Sequence, residues 1–407
     1  MPLLERRRIE LLKPHQCIFC ENLLNESTKL EHILLSALGG KKTSKRLICS
    51  DCNGHFGSTI DEHFAEQVAE LRNLMQFRSG KGHEPPMLRG LRSGENIINI
   101  RRDGTPEISG KPFVVNRQAD GLVTVHIQTR SVEDIVRFVP DIAAKIGLTA
   151  EELLEKLDLR QISVSDQRPD ILYCPSFGGE TAIRSMVKSS LELWALHVGN
   201  HEVRSDAYAE ARRFVNQGGA DFADTRVQLD SRALPDIEKV LRQYGPTFNM
   251  IYIQSDGTGR VIAHFTLYNM VSWQVVLSYA GNNPTSKVGL VSNPGDPTKW
   301  SDKIAGELEI PFSWLEKPAY SDEEGKTRFG AALALYFGPA RSRAIGEIVA
   351  DVFKRGLAAG ETEFNVAMID EIIERIAALQ LGIRYSRQMT KGEWDNLFRI
   401  IGVTADR

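Results

Sequence analysis

The sequence predicts an α+β chain: a small cysteine-stapled N-terminal finger of two strands and a helix, a mixed α+β region with an antiparallel meander, and a helical C-terminal part. Three observations predict it. Two C-x-x-C pairs, Cys17/Cys20 and Cys49/Cys52, bracket a short stretch with strand and helix patterns. From Phe248 to Val276, β-rich runs are joined through a turn at Ser255-Asp-Gly-Thr-Gly259. Apolar residues at three- and four-residue spacing recur from Thr181 to Val198 and again after Trp314. The expected domains are 1–82, 83–312 and 313–407, because 407 residues exceed one core of ordinary size.

The cysteine pairs place four thiolates at the spacing a structural zinc ion requires. Zinc there replaces a hydrophobic core that so short a module cannot build, and its binding energy becomes folding energy. Four of the five cysteines lie within the first 52 residues, which points to metal in a reducing cytosol rather than to a disulfide scaffold. The fifth, Cys174, reads as a small buried apolar residue. A hydrophobic content of 42% and a charged content of 25% are ordinary for a soluble globular protein. The net charge of -3 excludes an argument from overall basicity, so a nucleic-acid partner must be met by a local patch. No apolar run reaches the roughly 20 residues that span a bilayer, and the N-terminal stretch lacks the apolar middle of a signal peptide. The expected location is cytoplasmic.

Along the finger, Arg6, Arg7 and Arg8 are open to phosphate or to solvent, and His15 reads as a surface residue because four thiolates already fill a tetrahedron. Lys29 to Leu38 reads as a strand that delivers His32 near its start and is broken by Gly39-Gly40. Lys41, Lys42, Lys45 and Arg46 form either a solvated loop or the local positive field that a phosphodiester seeks. Leu47-Ile48 is the expected return strand. Cys52-Asn53 opens a helix whose apolar face runs through Phe56, Ile60, Phe64 and Val68 to about Phe77. Ser79 to Pro86 has loop composition.

Strands are expected at Asn96–Ile100, Phe113–Val115, Leu122–Gln128 and Ile162–Val164, with His126 on a solvated face. Helices are expected at Val132–Ile146 and Ala150–Leu157. The long helix Thr181–Val198 carries His197 near its last carbonyls, and Ala207–Val215 looks like its partner. The meander comprises Phe248–Ile253, Arg260–Tyr268 and Val271–Leu277; its glycines are turn chemistry rather than a phosphate loop. Gly281–Lys299 reads as an exposed loop. Helices at Gly330–Phe337, Arg341–Arg355, Phe364–Leu379 and Trp394–Ile400 close the chain, with Phe337-Gly-Pro339 interrupting the first.

Between the cysteine pairs lie residues suited to phosphodiester hydrolysis, which needs an activated water and a cation for the charged oxygens. His32 is the candidate base, since imidazole accepts a proton near neutrality. Glu31 and the amide oxygen of Asn53 are hard donors that suit Mg²⁺ or Mn²⁺. Adjacent strand residues face opposite ways, so Glu31 and His32 share a site only where a bend re-aims one of them. Asn53 directly follows Cys52, so zinc fixes where it points.

The run C17-x-x-C20, E31-H-I with Leu-Gly-Gly, and C49-x-x-C52-N53 with Gly57 resembles the HNH endonuclease family, in its zinc-stapled branch. The resemblance covers about residues 15–65. It implies a ββα-metal finger around one catalytic divalent ion, with the acidic ligand at Glu31, the general base at His32 and the helix-start ligand at Asn53. His55 and His63 are the other candidates for that last position. The central asparagine that braces the strand-connecting loop in relatives has no counterpart in Lys41–Ile48. The implied activity is metal-dependent nicking or cutting of DNA, with RNA an alternative substrate. The alternative is a treble-clef-like zinc knuckle that only binds nucleic acid or protein. The roughly 320 residues after the finger exceed what a ββα unit needs, and suggest sensing or partner recognition, as in a gated bacterial effector of phage defence.

Overall fold

The computed structural model describes residues 16–93, 96–109, 112–119, 121–127, 129, 135, 137–156, 163–166, 176–381, 385–388, 390 and 393. His15, Cys174, the arginines at 6–8 and the helix expected at 394–400 lie outside these residues. The chain forms two compact units, one of Met1–Pro86, Arg102–Gly104 and Cys174–Tyr336, the other of Met87–Arg101, Thr105–Tyr173 and Phe337–Arg407. This differs from the division expected at residues 82 and 312. The finger shares a unit with the meander because its own apolar surface is too small to close a core.

In the first unit, β1 (Glu31–His32) pairs antiparallel with β2 (Thr43–Ser44), Glu31 opposite Ser44 and His32 opposite Thr43. The first strand is far shorter than expected, and the chain winds into a 3-10 turn at Ser36–Leu38. The return strand is Thr43–Ser44 rather than Leu47-Ile48. A Cβ on Gly40 would lie 1.8 Å from the Leu34 carbonyl oxygen, so the chain doubles back early and tightly at a position only glycine can fill. Leu47 and Ile48 then become core residues. Three helices, α1 (Ser50–Gly57), α2 (Ile60–Gln67) and α3 (Ala69–Leu74), replace the single expected one. Phe56, Ile60, Phe64, Val68 and Leu71 are buried as their periodicity demands. The first break lies at Ser58-Thr59, whose hydroxyls bond back to the Gly54 and His55 carbonyls.

Helix α4 (Gly179–Val198) follows, buried on nearly every side over its middle, then α5 (Ala209–Gln217), β3 (Val227–Asp230) and α6 (Ile237–Tyr244). Strands β4 (Asn249–Ser255), β5 (Val261–Leu267), β6 (Val271–Ser278), β7 (Ser286–Ser292) and β8 (Trp300–Ser301) complete a six-stranded sheet of order β8-β7-β4-β5-β6-β3. Every pairing is antiparallel, with Ile251 opposite Phe265 on one side and Leu290 on the other. The meander thus forms as expected. Strand β7, however, lies inside the stretch read as a loop; its short apolar run sits among the asparagines, prolines and glycines that mark turns. One face of the sheet, through Ile251, Phe265 and Val275, shares a core with Met186 and Leu191 of α4 and with Leu38, Phe56 and Phe64 of the finger. The other face packs Met250, Tyr252 and Ile262 against Val240 and Tyr244 of α6.

The second unit holds the sheet Leu88–Ser93, Asn96–Ile100, Pro106–Ile108 and the hairpin Phe113–Arg117/Val123–Ile127, on which His126 is exposed as expected. Phe113 packs with Val139, Ile142 and Leu153 of the helices Val139–Ile146 and Ala150–Lys156. Ser163–Asp166 pairs with Tyr385–Gln388. The helix Asp322–Ala358 runs unbroken through Phe337-Gly-Pro339, against expectation. An internal proline costs about 3 kcal/mol, which a helix of 37 residues carries. The division between the two units falls at this Gly-Pro, after Tyr336. Helix Val366–Leu381 follows.

Candidate active site

The sulfur atoms of Cys17, Cys20, Cys49 and Cys52 lie within 4.8 Å of one another. Sγ of Cys20 and Sγ of Cys49 are 3.6 Å apart, close to the ~3.8 Å edge of a tetrahedron with ~2.3 Å zinc–sulfur bonds. Backbone N–H groups of Phe19 and Cys52 donate to Sγ of Cys17 and Cys49, each at 3.4 Å. The Cys52 thiol donates to Cys17 and holds its pKa down at about 5, while burial pushes Cys20 up to about 11. Without a cation, then, the cluster favours a thiolate at Cys17 and resists ionisation at Cys20 and Cys52. The donor set fits structural zinc, which ionises all four.

The knuckle is tied into the surrounding fold. Arg204 donates to the Cys17 and Cys20 carbonyls and, at 2.8 Å, to Glu21. Asn200 reaches the Gln16 and Arg46 carbonyls, and Asn216 the Phe19 carbonyl. Cys49 also caps α1, its sulfur accepting from the Cys52 amide, and the Asn53 amide donates to the Cys49 carbonyl at 2.9 Å. The metal ligand therefore starts the helix that aims Asn53. The Asn53 Nδ2 donates to the Leu30 carbonyl at 3.3 Å, beside β1. Only the amide nitrogen can donate there, and Oδ1 has no hydrogen-bond partner among the described residues.

Glu31 is buried and turns inward. Its Oε1 accepts from Lys188 Nζ of α4 at 2.5 Å. The same ammonium donates to Asp61 at 2.8 Å and lies 3.6 Å from Glu192, while Ser185 donates to the other Asp61 oxygen at 2.6 Å. Glu31 Oε2 accepts no hydrogen bond among the described residues and is not sealed from solvent. Burial raises the Glu31 pKa against the pull of Lys188. Glu192 is fully enclosed, makes no hydrogen bond among the described residues, and has its pKa pushed well up by burial. The folded chain therefore holds this proton more tightly than the unfolded chain does, so Glu192 subtracts stability as pH rises above the ordinary carboxylate value of 4.5. Glu192→Gln keeps the shape of the neutral acid. Thermal unfolding at pH 7 is expected to show a variant at least as stable as the parent, with the difference vanishing near pH 4.

His32 is half-buried, and its ring has no hydrogen-bond partner among the described residues. Burial first, then the positive charges of Lys81 and Lys188, lower its pKa. The imidazole is neutral at pH 7 and free to accept a proton. No bulge interrupts the β1–β2 pairing, so Glu31 and His32 leave the strand on opposite faces, as alternation requires. The Lys188 charge nevertheless acts on both. Among the described residues, only the four cysteines gather three or more His, Cys, Asp or Glu ligand atoms closely enough to hold a metal. A cation on Glu31 Oε2 and Asn53 Oδ1 would complete its shell with water and substrate oxygens, the habit of Mg²⁺.

Residues 17–69 match the HNH endonuclease family. Comparison with curated proteins and with solved structures gives no match. The segment that matches this family positions its expected cations unevenly. Lys42 is paired with Asp302 at 2.6 Å and is not free for phosphate. Lys45 donates to the Glu26 carbonyl at 3.3 Å. Lys41 and Arg46 have no side-chain partner among the described residues. His55 is exposed; His63, also exposed, contacts Gln67. Sequence reasoning missed Lys188, Asp61 and Lys81. Lys81 lies in the Ser79–Pro86 loop, which docks on the finger through the Gly80 amide and the Ser36 carbonyl at 2.7 Å. His197 contacts Ser286 rather than the end of its own helix.

Among the described residues, no helix is long and apolar enough to cross a membrane.

Proposed function

We propose that the chain is a metal-dependent HNH endonuclease that hydrolyses phosphodiester bonds in DNA. The observations that support this reading are the match of residues 17–69 to the HNH endonuclease family and three side chains with reactive atoms unpaired among the described residues: the neutral imidazole of His32, Oε2 of Glu31 and Oδ1 of Asn53. Glu31 and Asn53 are each anchored by one atom and left open at the other. They would hold Mg²⁺ or Mn²⁺, which would neutralise charge on the phosphate oxygens. His32 takes the proton from the attacking water. Lys41, Arg46 and Lys81 supply the local positive field that draws in the backbone. A cleft of about 260 Å³ beside Cys20 adds Arg213, while Arg204 and Arg212 in its lining are taken up by backbone carbonyls. The second compact unit is left for sensing or partner recognition, the role proposed for it in a gated effector of phage defence.

The test is plasmid cleavage by the full chain. Nicking or linearisation in Mg²⁺ or Mn²⁺, abolished by EDTA, is expected; a chain that binds DNA but never cuts it in any divalent ion is a zinc knuckle only. Because the His32 pKa is lowered, the acid limb of kcat/KM should have its midpoint below 6.5. The same shift makes the histidine contribute stability above 6.5 that is lost as pH falls, since the unfolded chain takes up the proton first.

A further inference from the structure

We propose that Lys188 is a positioning residue of the nuclease site: a fixed internal cation on α4 that holds Glu31 by Oε1 so that Oε2 faces the incoming divalent ion. The inference rests on the nuclease reading and extends it beyond the finger, which on its own lacks this group. Lys188 is completely enclosed, and an ammonium is buried at such cost only where partners surround it. Its partners are three acids, of which two belong to the finger: Glu31 at 2.5 Å and Asp61 at 2.8 Å. Asp61 has both oxygens occupied, one by Lys188 and one by Ser185, so it braces the ammonium and is not a ligand for a second cation. Glu31 has one oxygen occupied and one open.

That asymmetry decides between two roles. A lysine competing with the divalent ion would have to leave before metal bound. A lysine confined to Oε1, braced by Asp61 and sealed on all sides, instead removes the rotational freedom of the carboxylate in advance. The metal then meets an oxygen already oriented, and groups that orient a metal ligand in this way are worth 10–100-fold in affinity or activity. Glu31 and Lys188 are 157 positions apart in sequence. The active site is therefore composite, assembled only when the finger docks on α4.

The test uses the zinc-loaded full chain, with Mn²⁺ binding measured by calorimetry beside DNA cleavage. Lys188→Met is expected to bind Mn²⁺ at least 10-fold more weakly and to need correspondingly more metal for cleavage, with Lys188→Arg recovering part of both. Adding Glu31→Gln to Lys188→Met should cost far less than adding it to the parent. Should the buried acids prevent Lys188→Met from folding, Lys188→Met with Asp61→Asn removes the second carboxylate beside Glu31 and is expected to show the same weakened Mn²⁺ binding. Unchanged or tighter Mn²⁺ binding overturns the proposal, tighter binding being what loss of a competitor gives. Failure of both variants to fold overturns it too, making Lys188 a core residue only. A parent that binds Mn²⁺ but does not cut defeats the nuclease reading while leaving the binding comparison decisive for Lys188.

Discussion

Replacing His32 with alanine is expected to lower the rate of DNA cleavage by about 10²–10⁴-fold, the worth of a general base, with the chain still folded and zinc-loaded. The expectation follows from the ring's surroundings. It lies in a two-residue strand whose backbone pairing with Thr43 does not depend on the side chain. The imidazole has no hydrogen-bond partner among the described residues, so truncation orphans no buried group. The loss should therefore fall on kcat far more than on KM, because the ring contributes to proton transfer rather than to holding DNA. Mn²⁺ binding should persist, since Glu31 and Asn53 are anchored through Lys188 and Leu30 and not through His32. Single-turnover cleavage beside a Mn²⁺ titration separates the outcomes. Equal cutting by parent and variant would remove His32 from the mechanism; loss of both cutting and metal binding would make it a ligand.

What was legible in the sequence is what is local. The paired cysteines, the Glu31-His32 dipeptide and Asn53 are all set by short spacings, and α1 to α3 bury the apolar residues that their periodicity marks. Helix ends, strand lengths and the break at Ser58-Thr59 were not, because hydroxyl-to-carbonyl bonds and the tight turn at Gly40 override propensity there. Contacts between distant segments were the larger omission. Lys42 looked like a free cation in a basic loop, yet Asp302 claims it across 260 positions. Lys188 lies in a helix whose sequence signals are its apolar residues and His197. The one local signal is its i, i+4 spacing from Glu192 between the apolar pairs Met186-Val187 and Leu193-Trp194, where an ion pair is costly unless a third partner closes it. The identity of that partner, Glu31, depends on how the finger docks, which no local pattern encodes.

Removing zinc is expected to abolish cleavage outright although no reacting group touches the metal. Structural zinc sites hold apparent binding free energies of about 10–16 kcal/mol, which in a small module is folding free energy. Here the consequence has a path. The Cys49 sulfur caps α1, the Cys49 carbonyl accepts from the Asn53 amide, and Asn53 braces Leu30 at the start of β1. Released from the metal, the four sulfurs cannot all stay ionised together, since Cys20 and Cys52 regain protons at neutral pH, and the cap and the helix start loosen with them. Chelation, or Cys52→Ser, should therefore expose the amides of residues 50–57 to hydrogen exchange. The strands β4 to β6 should stay protected, because their core with α4 and α6 is built from their own apolar residues. Cleavage and Mn²⁺ binding should disappear together with α1 protection and return together when zinc is restored. Cleavage that survives in the zinc-free chain would mean that Asn53 is aimed by the docked helices alone, through Arg204, Asn200 and Asn216, and that the thiolates only add stability.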